Sequence, residues 1–274
     1  MWRYWKNPGP LKICHWNPNS FCADNFSRKT LIESLYLTAN YDIISISESA
    51  LHASIDNENL KFPGYQIYRR DIPNNISHGG ILVYCKDSLA IVERSDIEHN
   101  ENQLILQLTI QKKKIFLSVN YRRHHESMEE LSNFMENFQN SIQCIKNENP
   151  FCSMYLGDMN CHQQEWWAGD NDDTQGNLLN EIITSENLFQ LVNEPTHIVG
   201  PHQSCIDLVI TDQPNLVNNC SVLPSLHTRC HHQINHVELN ISNPPPPSYI
   251  RRILHYQRAN EDSINRAINF FNWE

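Results

Sequence analysis

Side chains that could activate water or bind a metal ion follow two apolar runs of this chain. The run Cys152–Leu156 leads through the motif Gly-Asp-Met-Asn to Asp158 and Asn160, and the run Asp42–Ser47 leads to Glu48. Residues two apart lie on the same face of an extended segment, so the Asp and Asn side chains are expected side by side. Such a carboxylate can accept a proton from water, and the amide can hydrogen-bond a phosphate oxygen. A carboxylate that closes a rigid strand is also a suitable Mg²⁺ ligand, because this cation prefers hard oxygen donors.

A lone carboxylate, Asp207, lies within the apolar run Ser204–Ile210. Its burial is unfavourable unless a cation or a hydrogen-bond donor meets it. The segment Cys-His-His at residues 230–232 supplies a candidate histidine partner, just before the last apolar run, Val237–Ile241.

A zinc site is the alternative interpretation of the same segment. The candidate ligands are Cys230, His232 and His236, with His227 or His202 nearby. Their spacing is irregular and includes no Cys-X-X-Cys pair, which structural zinc sites commonly use. A histidine–carboxylate pair is therefore the preferred interpretation.

Several pieces of the sequence resemble the endonuclease/exonuclease/phosphatase superfamily, in family order and at family spacing from about Leu11 to Ser242. The pieces are His15-Trp16-Asn17, Ser47-Glu48, His78 to Val83, Asn120-Tyr121-Arg122, Gly157 to Asn160, Ser204 to Asp207, and His231-His232. Within the superfamily, the chain most resembles the apurinic-type endonuclease domain of non-LTR retrotransposon proteins, in which a reverse transcriptase region follows.

The resemblance implies both a fold and an activity. The fold is α/β (α+β), a four-layered sandwich of two mixed β-sheets flanked by helices. The activity is Mg²⁺-dependent, or Mn²⁺-dependent, hydrolysis of one DNA strand that leaves a 3′-hydroxyl to prime reverse transcription at the target. The implied partners are DNA and the reverse transcriptase region of a longer polyprotein, with no membrane. Two alternatives are another phosphoesterase of this fold, acting on phospholipid, inositol phosphate or RNA ends, and a retroelement remnant with impaired catalysis.

The roles of individual residues follow from the resemblance. Glu48 is expected to bind the cation, and Asn19 stands where a further polar group of the metal shell occurs. Asn17 is expected to support the active-site network. Asp158 would orient or deprotonate the attacking water, and Asn160 would hold the scissile phosphate.

The resemblance also implies a charge-stabilising pair and further contacts to substrate. Asp207 would accept a hydrogen bond from one ring nitrogen of His232, which fixes the tautomer and favours the imidazolium. The other ring nitrogen would then meet the phosphate oxygen that gains charge in the transition state. Tyr121 is expected to hydrogen-bond the phosphate, and Arg122 and Trp166 to contact DNA. The two neighbouring tryptophans could instead anchor their loop, and packing is favoured for at least one of them.

Two positions depart from the family pattern. The family usually has Asp where this chain has His231, so the role of this residue stays open. The change removes a negative charge beside the expected metal, and we hypothesise that His231 must be neutral for activity. Arg123 replaces the usual Pro after Arg122, which is expected to alter only the stiffness of the loop.

Composition narrows the class of protein. A chain of 274 residues with 8 Gly and 19% charged residues fits one large globular domain with an appendage and excludes a disordered chain. The amino terminus lacks a signal-peptide core, no apolar segment reaches about 18 residues, and nine scattered cysteines favour a reducing compartment. A nuclear or cytoplasmic location is expected rather than secretion. The formal charge of −10 opposes tight autonomous DNA binding, because such proteins usually carry a basic surface.

The apolar periodicity predicts alternating strands and helices. Helices are predicted at Asn25–Asn40, Glu126–Asn147 and about Asn177–Glu186. Strands are predicted at Leu11–Trp16, Asp42–Ser47, Gly64–Arg70, Gly80–Cys85, Gln103–Ile110 and Lys114–Tyr121, with further strands that deliver Asp158, end on Asp207 and end near Ser242. The predicted domains are an N-terminal extension (1–10), the catalytic domain (11–242), and a Pro-rich linker with the start of a connector helix (243–274) towards a missing C-terminal region.

Overall fold

A computed structural model describes residues 9–21, 28–34, 39–73, 76, 78–124 and 127–242. The chain divides into two units, Met1–Pro244 and Pro245–Glu274, and all the described residues belong to the first. Most of the predicted N-terminal extension, the Pro-rich linker and the connector helix lie outside the described residues, so the predicted domain boundaries stay predictions. No helix within these ranges is long and apolar enough to cross a bilayer.

The described strands form two six-stranded sheets and one hairpin. The first sheet has the strand order β13 (Val217–Leu223), β14 (Ile234–Ser242), β1 (Pro10–Trp16), β2 (Ile43–Ser47), β4 (Ile81–Lys86) and β3 (Tyr65–Arg70). The second has the order β5 (Ala90–Glu93), β6 (Gln103–Ile110), β7 (Lys113–Tyr121), β8 (Cys152–Asp158), β12 (Asp207–Thr211) and β9 (Phe189–Gln190). The hairpin pairs β10 (His197–Val199) with β11 (His202–Ser204). Both large sheets are mixed, since β1–β2 and β7–β8 are parallel pairs and the other pairs are antiparallel.

The helices begin where side chains cap them. Residues 28–34 are helical, α1 spans Met128–Asn147 and α2 spans Thr174–Ser185. Ser127 and Glu130 form a reciprocal capping box at the start of α1. The apolar side chains whose spacing predicts this helix are buried except for Met128, which is 64% exposed in the first turn; the buried ones are Leu131, Met135, Phe138, Ile142 and Ile145. Helix α2 begins three residues before the predicted Asn177, because the Asp173 carboxylate accepts the Gly176 N–H as an N-cap.

The main core lies between the two sheets and under α1. Buried side chains of both sheets and of α1 belong to one apolar cluster, which includes Ile13, Val83, Val119, Leu156 and Phe138. A second cluster, which includes Trp16, Ile44 and Tyr84 of the first sheet, packs with Ile32 of the helical residues 28–34. This arrangement of two mixed sheets and helices confirms the predicted α/β sandwich.

The register between β8 and β12 places two carboxylates side by side. The strands are antiparallel and Asp207 pairs with Asp158. The prediction that a strand ends on Asp207 was wrong, because β12 begins there. The start of an antiparallel strand lies at the same sheet edge as the end of its neighbour, and this is why both carboxylates reach one site.

Gly157 is required at the same edge because two backbones approach closely there. It pairs with Asn120 of β7. Its φ is +154°, and a Cβ atom would lie 1.9 Å from the Asn120 carbonyl oxygen. Glycine therefore allows β8 to carry Asp158 against β7 without a clash.

Candidate active site

The side-chain amide of Asn17 joins the predicted site residues. Its Nδ2 donates to Glu48 Oε1 at 3.1 Å and to Asp158 Oδ2 at 2.8 Å, and lies 3.4 Å from His232 Nε2. Its Oδ1 accepts the backbone N–H of Asn19 at 2.8 Å. Asn17 is fully buried at the end of β1, so it holds together groups that come from both sheets.

Three predicted site residues adopt left-handed backbone conformations. The φ values are +51° for Asn19, +47° for Glu48 and +47° for Asn160. Residues other than glycine rarely adopt a positive φ, although Asn does so more often than most. Such residues concentrate at functional sites, where the surrounding structure holds them in place. Around Glu48 this support comes from the loop after β1, since the Ser20 N–H donates to the Glu48 carbonyl at 2.8 Å.

Asp158 is a buried carboxylate with a strongly perturbed pKa. Burial raises its pKa from 3.8 to about 7, and the nearby charges of Asp207 and Glu48 act in the same direction. His232 and the hydrogen bond from Asn17 oppose this rise. A carboxylate with a pKa near neutrality is suited to accept a proton from water.

Asp207 and His232 form the predicted pair. His232 Nδ1 lies 2.9 Å from Asp207 Oδ2, and Asp207 is fully buried. Burial alone would lower the pKa of His232, but the charge and hydrogen bond of Asp207 outweigh it and raise this pKa to about 9. For Asp207 burial acts to raise the pKa, and the charge of His232 reverses this and lowers it. The pair is therefore carboxylate and imidazolium at neutral pH.

The structure places Tyr121 against the expected metal residue. Tyr121 is buried at the end of β7, and its hydroxyl hydrogen-bonds the Glu48 carboxylate. Burial, followed by the negative charges of Glu48 and Asp158, raises the pKa of its phenol. Tyr121 is thus a neutral hydrogen-bond donor at the edge of the site.

Arg122 supports the turn that carries Asp158 and Asn160. It is 3% exposed, its Nε donates to the Met159 carbonyl at 2.7 Å, and its guanidinium also bonds the Asn160 carbonyl. In return the Asn160 amide donates to the Arg122 carbonyl at 2.7 Å, and the Asn160 N–H donates to Asp158 Oδ1 at 3.1 Å. These contacts show Arg122 as a support of the turn, and its expected contact with DNA stays a prediction.

Trp166 faces inwards. It is 7% exposed, belongs to the main apolar cluster, and its indole N–H donates to Asn180 Oδ1 at 3.2 Å. Trp166 therefore anchors its loop, whereas Trp167 is only partly buried and packs at the edge of the same cluster.

His231 is exposed and its ring does not join the group around Asn17. Its ring centroid lies 6.1 Å from that of His197, whose ring is in turn 4.6 Å from that of His232. Burial, reinforced by the charge of His232, lowers the pKa of His197 to about 4, so His197 is neutral beside the imidazolium. The dependence of activity on a neutral His231 stays a prediction.

Two residues beside the Asp207–His232 pair were not predicted as site residues. His197 pairs with His232 in an isolated β-bridge, and nothing in the local sequence indicates this. His15 is 1% exposed, with its Nε2 3.9 Å from Asp207 Oδ1. His15 stands two residues before Asn17 along β1, so strand alternation places both side chains on one face. This spacing from Asn17 could have identified His15 from the sequence.

The donors around Asn17 suit a hard divalent cation. Glu48 offers a carboxylate that is only half-buried, so a cation there could keep several of its waters. Within the described ranges, Asp158, Asp207 and His232 also bring ligand atoms within 4.8 Å of one another. Two of these three are already engaged with each other, and an imidazole ligand favours softer metals than Mg²⁺. Glu48 is therefore the better metal ligand for Mg²⁺.

The zinc alternative is not supported. Among the residues that the structure describes, no metal-ligand group contains Cys230, His232 and His236 together. Cys230 Sγ contacts the Asn17 carbonyl at 3.1 Å, and His236 Nδ1 lies 2.9 Å from the Tyr41 hydroxyl. The three side chains have separate partners.

Comparison with known proteins agrees with the fold. A family model described as endonuclease-reverse transcriptase matches residues 115–235. Among curated proteins, none matches this chain.

Solved structures share the fold across most of the chain. The endonuclease domain of TRAS1, a telomere-specific non-LTR retrotransposon, is 16% identical with a TM-score of 0.67, covering 85% of this chain and 99% of that chain. The AP endonuclease LMAP from Leishmania major is 11% identical with a TM-score of 0.70, covering 84% and 88%. The Xenopus laevis APE2 catalytic domain is 16% identical with a TM-score of 0.65, covering 85% and 92%. These structures confirm the fold that the resemblance to the endonuclease/exonuclease/phosphatase superfamily predicted.

Proposed function

This chain has the fold of the endonuclease/exonuclease/phosphatase superfamily, and from that premise we propose that it is a Mg²⁺-dependent DNA endonuclease. It hydrolyses one phosphodiester of one strand and leaves a 3′-hydroxyl. In a non-LTR retrotransposon this hydroxyl primes reverse transcription at the target site. The endonuclease-reverse transcriptase family match and the likeness to the TRAS1 domain support this context. The proposal includes a reverse transcriptase region in the same polyprotein and action in the nucleus or cytoplasm.

The observation that carries the proposal is the contact of one buried amide with three chemically distinct groups. Asn17 reaches a candidate metal ligand (Glu48), a carboxylate with a pKa near neutrality (Asp158) and an imidazolium (His232). Phosphodiester hydrolysis needs a base for water and positive charge for the phosphate oxygens, and both lie around this one buried amide.

In the proposed reaction Asp158 holds the attacking water and accepts its proton, the water oxygen bonds to phosphorus as the bond to the 3′ oxygen breaks, and the departing oxygen takes a proton from solvent to become the 3′-hydroxyl. The His232 imidazolium faces the phosphate oxygen on which negative charge grows, and Asp207 maintains its charge. The Asn160 amide has two N–H groups, of which one bonds the Arg122 carbonyl, so the other is available for a phosphate oxygen.

Tyr121 and Glu48 complete the site. The Tyr121 hydroxyl has one proton, which bonds Glu48 in the absence of substrate, and it turns to donate this proton to the phosphate when DNA binds. Glu48 would hold the cation, with Asn19 contributing to its polar shell, and Mg²⁺ bound there would supply Lewis-acid stabilisation of charge on the phosphate. A metal at this position also offsets part of the negative charge of the chain where DNA must approach.

The test is nicking of supercoiled plasmid by the purified protein with Mg²⁺ or EDTA, beside the variants Asp158→Ala and Asp212→Ala. Asp212 is the matched control, because its carboxylate accepts the Ser153 N–H at the opposite end of β8. We expect open circles only with Mg²⁺, retained in the control and lost in Asp158→Ala. DNA ligase reseals such nicks only when a 3′-hydroxyl faces a 5′-phosphate, so resealing tests the predicted ends.

Absence of nicking by the folded wild-type protein contradicts the proposal. Hydrolysis of small phosphodiesters, phosphoinositides or RNA ends by that protein would then support a different phosphoesterase of the same fold. Inactivity on all of these would support the remnant with impaired catalysis.

A further inference from the structure

His15 occupies a buried polar position behind Asp207. It lies on β1 in the first sheet, paired with Ser45 of β2 and Asn235 of β14, whereas Asp207 begins β12 in the second sheet. The imidazole therefore crosses from one sheet towards the carboxylate of the other. Both side chains are essentially inaccessible to solvent, at 0% and 1% exposure.

The two oxygens of Asp207 have different surroundings. Oδ2 is bonded to His232 Nδ1 at 2.9 Å and the Thr196 side chain also hydrogen-bonds this carboxylate, whereas Oδ1 has no hydrogen-bond partner among the described residues. The ring of His15 faces Oδ1, with Nε2 at 3.9 Å. That separation is too long for a hydrogen bond but short for an electrostatic contact in a buried site. A buried carboxylate oxygen without a donor is unfavourable, so the group that faces it matters.

The contacts of His15 determine how its ring faces Asp207. Nδ1 lies 2.6 Å from Ser45 Oγ, and Nε2 lies 3.3 Å from Ser47 Oγ. Burial lowers the pKa of His15 to about 4, although Asp207 opposes this, so the ring is neutral and carries one proton. The facing Asp207 carboxylate favours the tautomer with the proton on Nε2, which points towards Asp207 Oδ1 and Ser47, and in this tautomer the Ser45 hydroxyl donates to Nδ1.

We propose that His15 is a positioning residue: held by Ser45 and Ser47, its ring presents a donor to Oδ1 of Asp207 and keeps the carboxylate turned towards His232. The expected loss of nicking activity rests on the proposed function, whereas the expected change in the orientation of the Asp207 carboxylate does not. Without the ring behind it, the Asp207 carboxylate rotates towards other partners. The bond to His232 then weakens, and the imidazolium loses its orientation towards the phosphate.

The variants His15→Phe and His15→Gln test this proposal. Phe fills the space without a donor, whereas the Gln amide can place an N–H where Nε2 stands. The matched control is Ile13→Val, which removes one buried methyl group from the same face of the same strand. Ser47→Ala removes one support of the ring and gives a second test if His15→Phe does not fold.

Two readouts separate positioning from a general loss of stability. The first is the downfield proton NMR signal of His232 Nδ1–H, assigned by its absence in His232→Asn. The second is kcat and KM for plasmid nicking. In His15→Phe we expect the signal to be lost and kcat to fall about tenfold with KM unchanged, the size typical when the partner of an active-site group is removed. His15→Gln should restore both, and Ser47→Ala should weaken both.

An unchanged signal in His15→Phe, or a signal lost equally in Ile13→Val, overturns the proposal. If the wild-type protein nicks no DNA, the proposed function fails while the NMR comparison still decides the role of His15. Loss of the signal in His15→Phe and its recovery in His15→Gln support positioning even in that case.

Discussion

Replacement of Asp158 by asparagine should stabilise the protein at alkaline pH while it abolishes nicking. In the folded protein the pKa of this buried carboxyl is raised from 3.8 to about 7. Because the folded-state pKa lies above the unfolded one, the folded state favours the protonated form. The contribution of Asp158 to stability is then largest below about pH 4 and is lost as the pH rises through about 7. Asparagine does not titrate and avoids this loss.

The size of this effect follows from the raised pKa of Asp158. A pKa difference of about three corresponds to about 4 kcal/mol of destabilisation in the wild-type protein at pH 8, as an upper limit. The variant loses part of this advantage. Its amide N–H faces the amide of Asn17, whereas in the wild-type protein the Asp158 carboxylate accepts a hydrogen bond from that amide at 2.8 Å. A lost bond to a charged group costs about 2 kcal/mol. We therefore expect a net stabilisation of about 2 kcal/mol at pH 8.

Urea unfolding in EDTA at pH 4 and pH 8 measures this effect, with plasmid nicking in Mg²⁺ beside it. The variant should be more stable than wild type at pH 8 and no more stable at pH 4. Nicking should fall about a hundredfold or more, as when a general base is removed. The control Asp212→Asn changes a carboxylate that bonds the Ser153 N–H far from Asn17, and it should keep its nicking activity.

Two results would refute this reasoning. A variant destabilised by the same amount at pH 4 and pH 8 would show that Asp158 is not a strained buried anion. Nicking at the wild-type rate would show that it does not activate water.

The same site gives four further predictions. The nicking rate should rise with pH through about 7 as Asp158 ionises and fall above about 9 as His232 loses its proton. A rate–pH profile that is flat from pH 6 to 10 would contradict both assignments. The rising limb should move to lower pH as Mg²⁺ is increased, because a cation at Glu48 favours the neighbouring carboxylate. Glu48→Gln should raise the Mg²⁺ concentration needed for half-maximal nicking about tenfold or more, while its thermal stability stays near that of wild type. An unchanged Mg²⁺ titration would argue against Glu48 as the metal ligand. Gly157→Ala should destabilise the fold by about 3 kcal/mol, because its Cβ would lie 1.9 Å from the Asn120 carbonyl oxygen, and wild-type unfolding by urea would refute that clash.

The types of side chain at the site, and the elements that deliver most of them, could be predicted from the sequence. An apolar run that ends on Gly-Asp-X-Asn, or on a single Glu, indicates the end of a buried strand, and Asp158 and Glu48 stand at such ends. The periodic stripe of α1 likewise predicts its buried face. These signals are local, because they depend on residues a few positions apart. Short strands with mixed polar residues, such as β5, β10 and β13, have no such pattern and were not predicted.

Tertiary structure alone decided how those side chains meet. The amide of Asn17 contacts groups 31, 141 and 215 residues away, and no local pattern specifies such separations. The antiparallel register of β8 and β12 put Asp207 at a strand start, and packing turned Arg122 towards backbone carbonyls. The perturbed pKa of Asp158 has the same origin, because exclusion of water and the approach of other charges exist only after both sheets have packed. Sequence determines which groups are available, and the long-range packing of the two sheets determines their distances, protonation and orientation.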